Sequence, residues 1–129
     1  MKKVVKFGGS SLASARQFKK VGDIIRADKT RRFVIPSAPG KRNSKDTKVT
    51  DMLYECYAAA STGASYKKIL DAIKARSQEI IDGLELNLNL DHEFATIEEN
   101  FVKGIGKDYA ASRGEYLNGI VMANYLGYE

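Results

Sequence analysis

The chain has 129 residues, 43% of them hydrophobic, which supplies one modest core and rules against two domains. Its single cysteine, Cys56, excludes an internal disulfide; the apolar stretch after Met1-Lys2-Lys3 breaks at Lys6, too soon for a signal-peptide core, and no run reaches membrane-spanning length. The net charge of +5 is uneven: residues 1–50 hold 14 Lys and Arg against 3 Asp and Glu, residues 51–129 hold 7 against 13. A basic section attracts nucleic acid, phosphorylated small molecules or nothing in particular, and charge alone does not choose among them.

Val4, Val5 and Phe7, then Phe33, Val34 and Ile35, form two short β-prone runs that end in glycine, proline or serine. Both read as buried parallel strands. Between them Leu12, Ala15, Phe18, Val21, Gly22 and Ile25 recur at three-to-four-residue spacing, so a helix completes a βαβ unit. The polar, basic stretch from Gly40 to Val49 has no periodicity and reads as an exposed, mobile loop.

Thr50 or Asp51 is expected to cap the next helix, whose inner face is Met52, Leu53, Cys56 and Ala60. Further helical faces follow at Ile69, Ile73, Ile80 and Leu84, and at Phe94, Ile97, Phe101 and Ile105. Breaks fall at Gly63, at 83–91 and at 104–107, and a last helix is expected from about Gly114 to Leu126 with Leu117, Ile120 and Val121 inward. Two strands beside four or five helices make a poor closed sheet, so the sheet is expected to be incomplete.

Three segments carry candidate chemistry. In Lys6-Phe7-Gly8-Gly9-Ser10-Ser11 a strand ends in two glycines, and the hydroxyl residues are expected to open a helix. Glycine lets backbone N–H groups approach an anion, a helix N-terminus adds unpaired donors, and Lys6 supplies a point charge. The spacing is neither the P-loop nor the dinucleotide pattern, and a simple tight turn explains it equally well. Ser37-Ala38-Pro39-Gly40-Lys41 follows the second strand, where small residues floor a ligand crevice in open α/β sheets, or merely turn the chain. Ser112-Arg113-Gly114-Glu115 puts a carboxylate at an expected helix start, which the dipole favours with or without a ligand. His92 reads as exposed and not a metal ligand, and Cys56 as core.

Taken together, Lys-Phe-Gly-Gly-Ser-Ser, Ser-Ala-Pro-Gly-Lys, Thr-Asp-Met-Leu and the later Ser-Arg-Gly-Glu resemble, in order and over the whole chain, the aspartate kinases of the amino acid kinase superfamily. The resemblance implies an α/β three-layer αβα sandwich of the carbamate-kinase-like type, here incomplete, with parallel strands early and mostly helices later. It implies that residues 1–129 are the amino-terminal, amino-acid-substrate-binding part of a catalytic domain, without the nucleotide-binding half or the ACT domains. The reaction implied moves the γ-phosphoryl of ATP to the β-carboxylate of L-aspartate, giving 4-phospho-L-aspartate, the first step of lysine, threonine and methionine biosynthesis.

By motif, Lys6 is the catalytic residue that neutralises charge on the transferred phosphoryl, and with Gly8, Gly9 and Ser10 it binds the ATP phosphates, Mg²⁺ accompanying the nucleotide. Ser37 and Thr50 contact aspartate, Glu115 binds its ammonium group, and no residue is assigned to hold a metal. The family often has threonine at Ser11, an aliphatic residue at Pro36 and serine at Asn118, and the loop from Lys41 to Lys48 is longer than in many members. A cytoplasmic enzyme that is a homo-oligomer at full length is expected, with no membrane or nucleic-acid partner and no useful activity in the isolated chain. The rival readings are another amino acid kinase, acting on acetylglutamate or glutamate, and a nucleic-acid-binding module in which Lys41, Arg42, Lys45 and Lys48 contact backbone phosphates. Against the latter, no aromatic residues interleave with the basic loop as a stacking platform requires.

Overall fold

The computed structural model describes residues 2–127, and of Arg32 the backbone. Strand β1 (Lys3–Phe7) leads through a 3₁₀ turn (Gly9–Leu12) into α1 (Ala15–Arg26), which returns the chain to β2 (Arg31–Pro36). Four helices follow: α2 (Val49–Ser61), α3 (Lys67–Gly83), α4 (Asp91–Lys103) and α5 (Lys107–Leu126). The strands pair in parallel, with an irregularity between Lys3 and Val4; beyond it Val4 faces Phe33, Val5 faces Val34 and Lys6 faces Ile35.

The period of two in a strand then decides what each side chain meets. Val5, Phe7 and Val34 turn toward the helices and pack on the core. Val4, Phe33 and Ile35 turn away and are 64%, 53% and 47% exposed, with Lys6 on the same open face. The expectation of strands buried on both faces is therefore corrected. Parallel sheets ordinarily carry cover on both sides, and among the described residues only one side has it. The chain supplies a sheet and one layer of helices.

The core lies between α1 and the four later helices. Phe18, Val21 and Ile25 of α1 meet it from one end, as their spacing requires. α2 runs against α3, α4 and α5, and Phe101 of α4 sits fully buried between the rings of Tyr57 at 5.4 Å and Tyr109 at 6.1 Å, both edge-on. Edge-to-face contact suits the ring quadrupoles and adds to the area that Phe101 buries. Cys56 is fully buried on α2, and burial pushes its thiol up to about 11. His92 is exposed at the start of α4.

Four local expectations fail, each for a physical reason. Ser10 and Ser11 do not open an α-helix. They lie in the 3₁₀ turn, and α1 starts later, where Ser14 Oγ accepts the Gln17 N–H. α2 starts at Val49, before Thr50, because the Val49 N–H donates to Pro39 O, so a backbone carbonyl replaces the side-chain cap. α5 starts at Lys107, and Gly114 is mid-helix. Ile105 is 55% exposed because α4 has already ended at Gly104, whose φ of 71° turns the chain through the left-handed region.

The 40–48 loop is mostly exposed, as expected, and carries a set of charged contacts that its sequence did not suggest. Arg42 donates through Nε and Nη2 to the Asp46 carboxylate and through Nη1 to Glu79. From α3, the 5% exposed Arg76 reaches the Gly40 and Thr47 carbonyls at 2.6 and 2.9 Å. A polar sequence without periodicity is here tied down by charged groups.

Candidate active site

Two loops and a helix meet at the carboxyl ends of the two strands. The first is the Gly8–Ser11 turn, closed by the Ser11 N–H donating to Gly8 O at 3.1 Å. The second is Ser37–Gly40, whose first residue continues the ladder by donating from Ser37 N to Phe7 O at 3.2 Å. The two loops touch backbone to backbone: the Gly40 N–H donates to Gly9 O at 2.8 Å. A Cβ on Gly40 would lie 2.6 Å from Gly9 C and 2.8 Å from Ser10 N, so only glycine allows the approach.

The third contribution comes from α5. A Cβ on Gly114 would stand 2.5 Å from Ala38 Cβ and 3.3 Å from Leu53 Cδ1. Its absence lets the helix press against both the second loop and α2. The neighbouring Glu115 then projects, exposed, over the same crevice. Asn118, one turn further and 3% exposed, donates from Nδ2 to Ser37 O at 2.8 Å and so fixes the floor of the crevice.

The resulting cavity, about 550 Å³, is lined by Gly9, Ser10, Ser37, Ala38, Pro39, Lys41, Lys48, Thr50 and Glu115. Five of the residues singled out from sequence thus share one space: Gly9, Ser10, Ser37, Thr50 and Glu115. Lys6 and Gly8 are not among its lining; Lys6 stands on the open sheet face, and a side chain at Gly8 would meet nothing within 4 Å. The α-helical N-terminus expected at the first loop is absent there. The first turn of α2 borders the cavity instead, through Lys48 and Thr50, and brings the positive end of its dipole.

Chemically the cavity pairs one carboxylate, Glu115, with two lysines, Lys41 and Lys48, above hydroxyls and backbone amides. That pattern matches a ligand carrying both an ammonium and acidic groups. A second groove, about 540 Å³, lies on the far side of the loop over Met52, Ile69, Ala72 and Ala75, and holds none of the three motifs. Arg113 lies outside the crevice, its guanidinium over the Tyr109 and Tyr116 rings at 4.5 and 4.7 Å.

The model of the amino acid kinase family matches residues 1–128. The chain belongs to the amino acid kinase family. The crystal structure of Clostridium acetobutylicum aspartate kinase, described as an allosteric enzyme, superposes with a TM-score of 0.92 at 47% identity, over 98% of this chain and 29% of that one. Aspartokinase 3 of Bacillus subtilis (strain 168) is 36% identical, over 98% of this chain and 29% of its own length. E. coli aspartokinase III in complex with aspartate and ADP shares the fold, with a TM-score of 0.74 at 23% identity over 98% of this chain and 29% of that one. The chain therefore spans under a third of the relatives it matches, and what it contains is an α/β portion of the amino acid kinase fold.

Sequence reasoning missed Arg76 and Asn118 as supports of this cavity, and gave Lys41 and Lys48 a role of their own only in the nucleic-acid reading. Arg76 had a signal: it falls three residues after Ile73 and four before Ile80, on the buried face of α3. A charged residue in an apolar stripe asks for buried partners.

Proposed function

We propose that this chain forms the amino-acid side of an aspartate kinase, which transfers the γ-phosphoryl of ATP to the β-carboxylate of L-aspartate. The observation that carries the reading is the convergence of Gly9, Ser10, Ser37, Thr50 and Glu115, from four separate segments, on one cavity. The high similarity to the C. acetobutylicum and B. subtilis enzymes supports it.

In this reading Glu115 binds the substrate ammonium, Ser37 and Thr50 orient the carboxylate, and the Gly8–Gly9–Ser10 turn receives the phosphoryl group. Lys6 balances charge that builds on that group, and Lys41 and Lys48 add positive potential at the rim. Mg²⁺ arrives with ATP as part of the nucleotide substrate. Phosphoryl transfer asks for little beyond position and charge, since no covalent enzyme intermediate is required. The first step of lysine, threonine and methionine biosynthesis, a cytoplasmic location and self-association at full length belong to the same proposal. The isolated chain is expected to turn over poorly, because no pocket for the adenine base is assigned within it.

The test is ADP release by the full-length gene product with L-aspartate, ATP and Mg²⁺, beside N-acetyl-L-glutamate as the rival acceptor. Aspartate-dependent release is expected. Glu115→Gln raises KM for aspartate by about a hundredfold, and Lys6→Ala lowers kcat by about the same factor. Release with acetylglutamate alone, or aspartate turnover indifferent to both substitutions, rejects the assignment.

A further inference from the structure

The loop between Pro39 and Val49 closes one side of the cavity with Lys41 and Lys48, although its own residues are mostly exposed. What holds it is a side chain outside the cavity. Arg76 Nη2 donates to Gly40 O at 2.6 Å, Arg76 Nη1 donates to Thr47 O at 2.9 Å, and the Asp46 carboxylate lies 3.5 Å from Nη1. Gly40 and Thr47 are the two ends of the loop. One planar guanidinium spans them with Nη1 and Nη2, two donors held in fixed directions, whereas an ammonium offers one rotating nitrogen for both carbonyls.

Both ends lead onward to cavity residues. Gly40, held through its carbonyl, gives its N–H to Gly9 O in the first loop. Thr47 precedes Lys48 and Thr50, and the Val49 N–H is bound to Pro39 O, so the start of α2 is tied to the other end of the same loop. Arg76 is itself 5% exposed and is not among the residues that line the cavity. Burying a guanidinium is costly unless each donor direction is met, and here two carbonyls and a carboxylate meet it.

We propose that Arg76 is a positioning residue of this site: its guanidinium clamps both ends of the 40–47 loop and so holds Lys41, Lys48 and Thr50 in register with the Gly9–Ser10 turn. The inference rests on reading the cavity as the substrate site. A clamp of this kind alters substrate affinity, whereas a side chain serving stability alone alters only how much enzyme is folded.

The decisive variant is Arg76→Lys in the full-length protein, which keeps the charge beside Asp46 but loses the two separate donor nitrogens that reach Gly40 O and Thr47 O. KM for L-aspartate rises about tenfold with kcat within about twofold of wild type. Amide exchange at 41–48 accelerates by about tenfold or more, while exchange in α4 is unchanged. A folded Arg76→Lys protein with wild-type KM overturns the proposal, whatever its melting temperature, and so does a fall in kcat at constant KM. Should that variant not fold, Asp46→Asn carries the test with a rise in KM of about threefold, and an unchanged KM again overturns it. If wild type does not turn over L-aspartate the kinase reading fails by itself; the clamp is then judged on exchange at 41–48 in the same variants, where wild-type rates overturn it.

Discussion

The two halves of this chain solve opposite problems. Residues 49–127 fold four helices around Leu53, Ile73, Ile97 and Phe101, all nearly inaccessible. Residues 3–48 make a βαβ unit whose sheet leaves Val4, Phe33 and Ile35 open and whose loops are spent on the cavity. The acidic half supplies most of the core, and the basic half supplies most of the site. The difference teaches that the site lies at a seam: Glu115 and Thr50 reach it from the helical half only because Gly114 and Gly40 permit contact.

The comparison breaks if damage to one half spreads indifferently to the other. Phe101→Ala, which empties the space between two tyrosine rings, is expected to cost about 3–5 kcal/mol in denaturant unfolding while leaving KM of the folded enzyme unchanged. A shift in KM at that position would show that the core and the site are not separable. Gly40→Ala sets a Cβ against backbone that cannot give way; it costs about 2–3 kcal/mol and, unlike Phe101→Ala, also weakens substrate binding. Wild-type stability and KM together in that variant would mean that the Gly9–Gly40 approach is not required.

The third prediction is electrostatic. Hydrogen bonds from Arg42 hold the Asp46 carboxyl well below the usual carboxylate range. A carboxylate with a depressed folded pKa adds stability above its unfolded value, about 4, and loses it as pH falls toward the folded value. Wild type and Asp46→Asn therefore differ fully above about pH 5, and the difference shrinks as pH falls below about 4 and vanishes only beneath the depressed folded value. Protection of the 41–48 amides between about pH 6 and about pH 3 checks it; a difference that does not shrink at the acid end contradicts the charge argument. The smallest effect is expected at Glu85, the one non-glycine residue with positive φ among the described residues, at 57°. Glu85→Gly removes a Cβ from the left-handed region and is expected to raise stability by about 0.5 kcal/mol, measured by thermal unfolding, with no effect on KM.

Much of the helical half was legible because its inner residues recur every three or four positions: Leu53, Cys56 and Ala60, or Phe94, Ile97 and Phe101, are all buried. The βαβ unit was legible for the same reason, through Phe18, Val21 and Ile25. What periodicity cannot show is a boundary decided by a distant group. Gly114 looked like a helix opening because glycine ordinarily interrupts helices, yet its missing side chain serves the contact with Ala38. Thr50 looked like a cap, but the carbonyl of Pro39 already holds the Val49 N–H. In the site, the motif residues could be collected from sequence, since their chemistry is written in their side chains. Arg76 and Asn118 act on backbone carbonyls, which every residue has, so nothing local announced their partners.

The direct contact of Gly9 with Gly40 has a consequence for redesign of the pocket. Where two loops meet through side chains, a change of residue can widen or narrow the gap; where they meet main chain to main chain at glycine, no residue can bring them closer and any larger one forces them apart. On the proposed function, the spacing between the Gly9–Ser10 turn and the Ser37–Gly40 loop is therefore fixed by the scaffold as long as both glycines are kept. A change in acceptor length or charge has to be accommodated by Ser37, Thr50, Glu115 and the two rim lysines. On the proposed function, a library confined to those five positions explores acceptor choice without touching the Gly9–Ser10 turn.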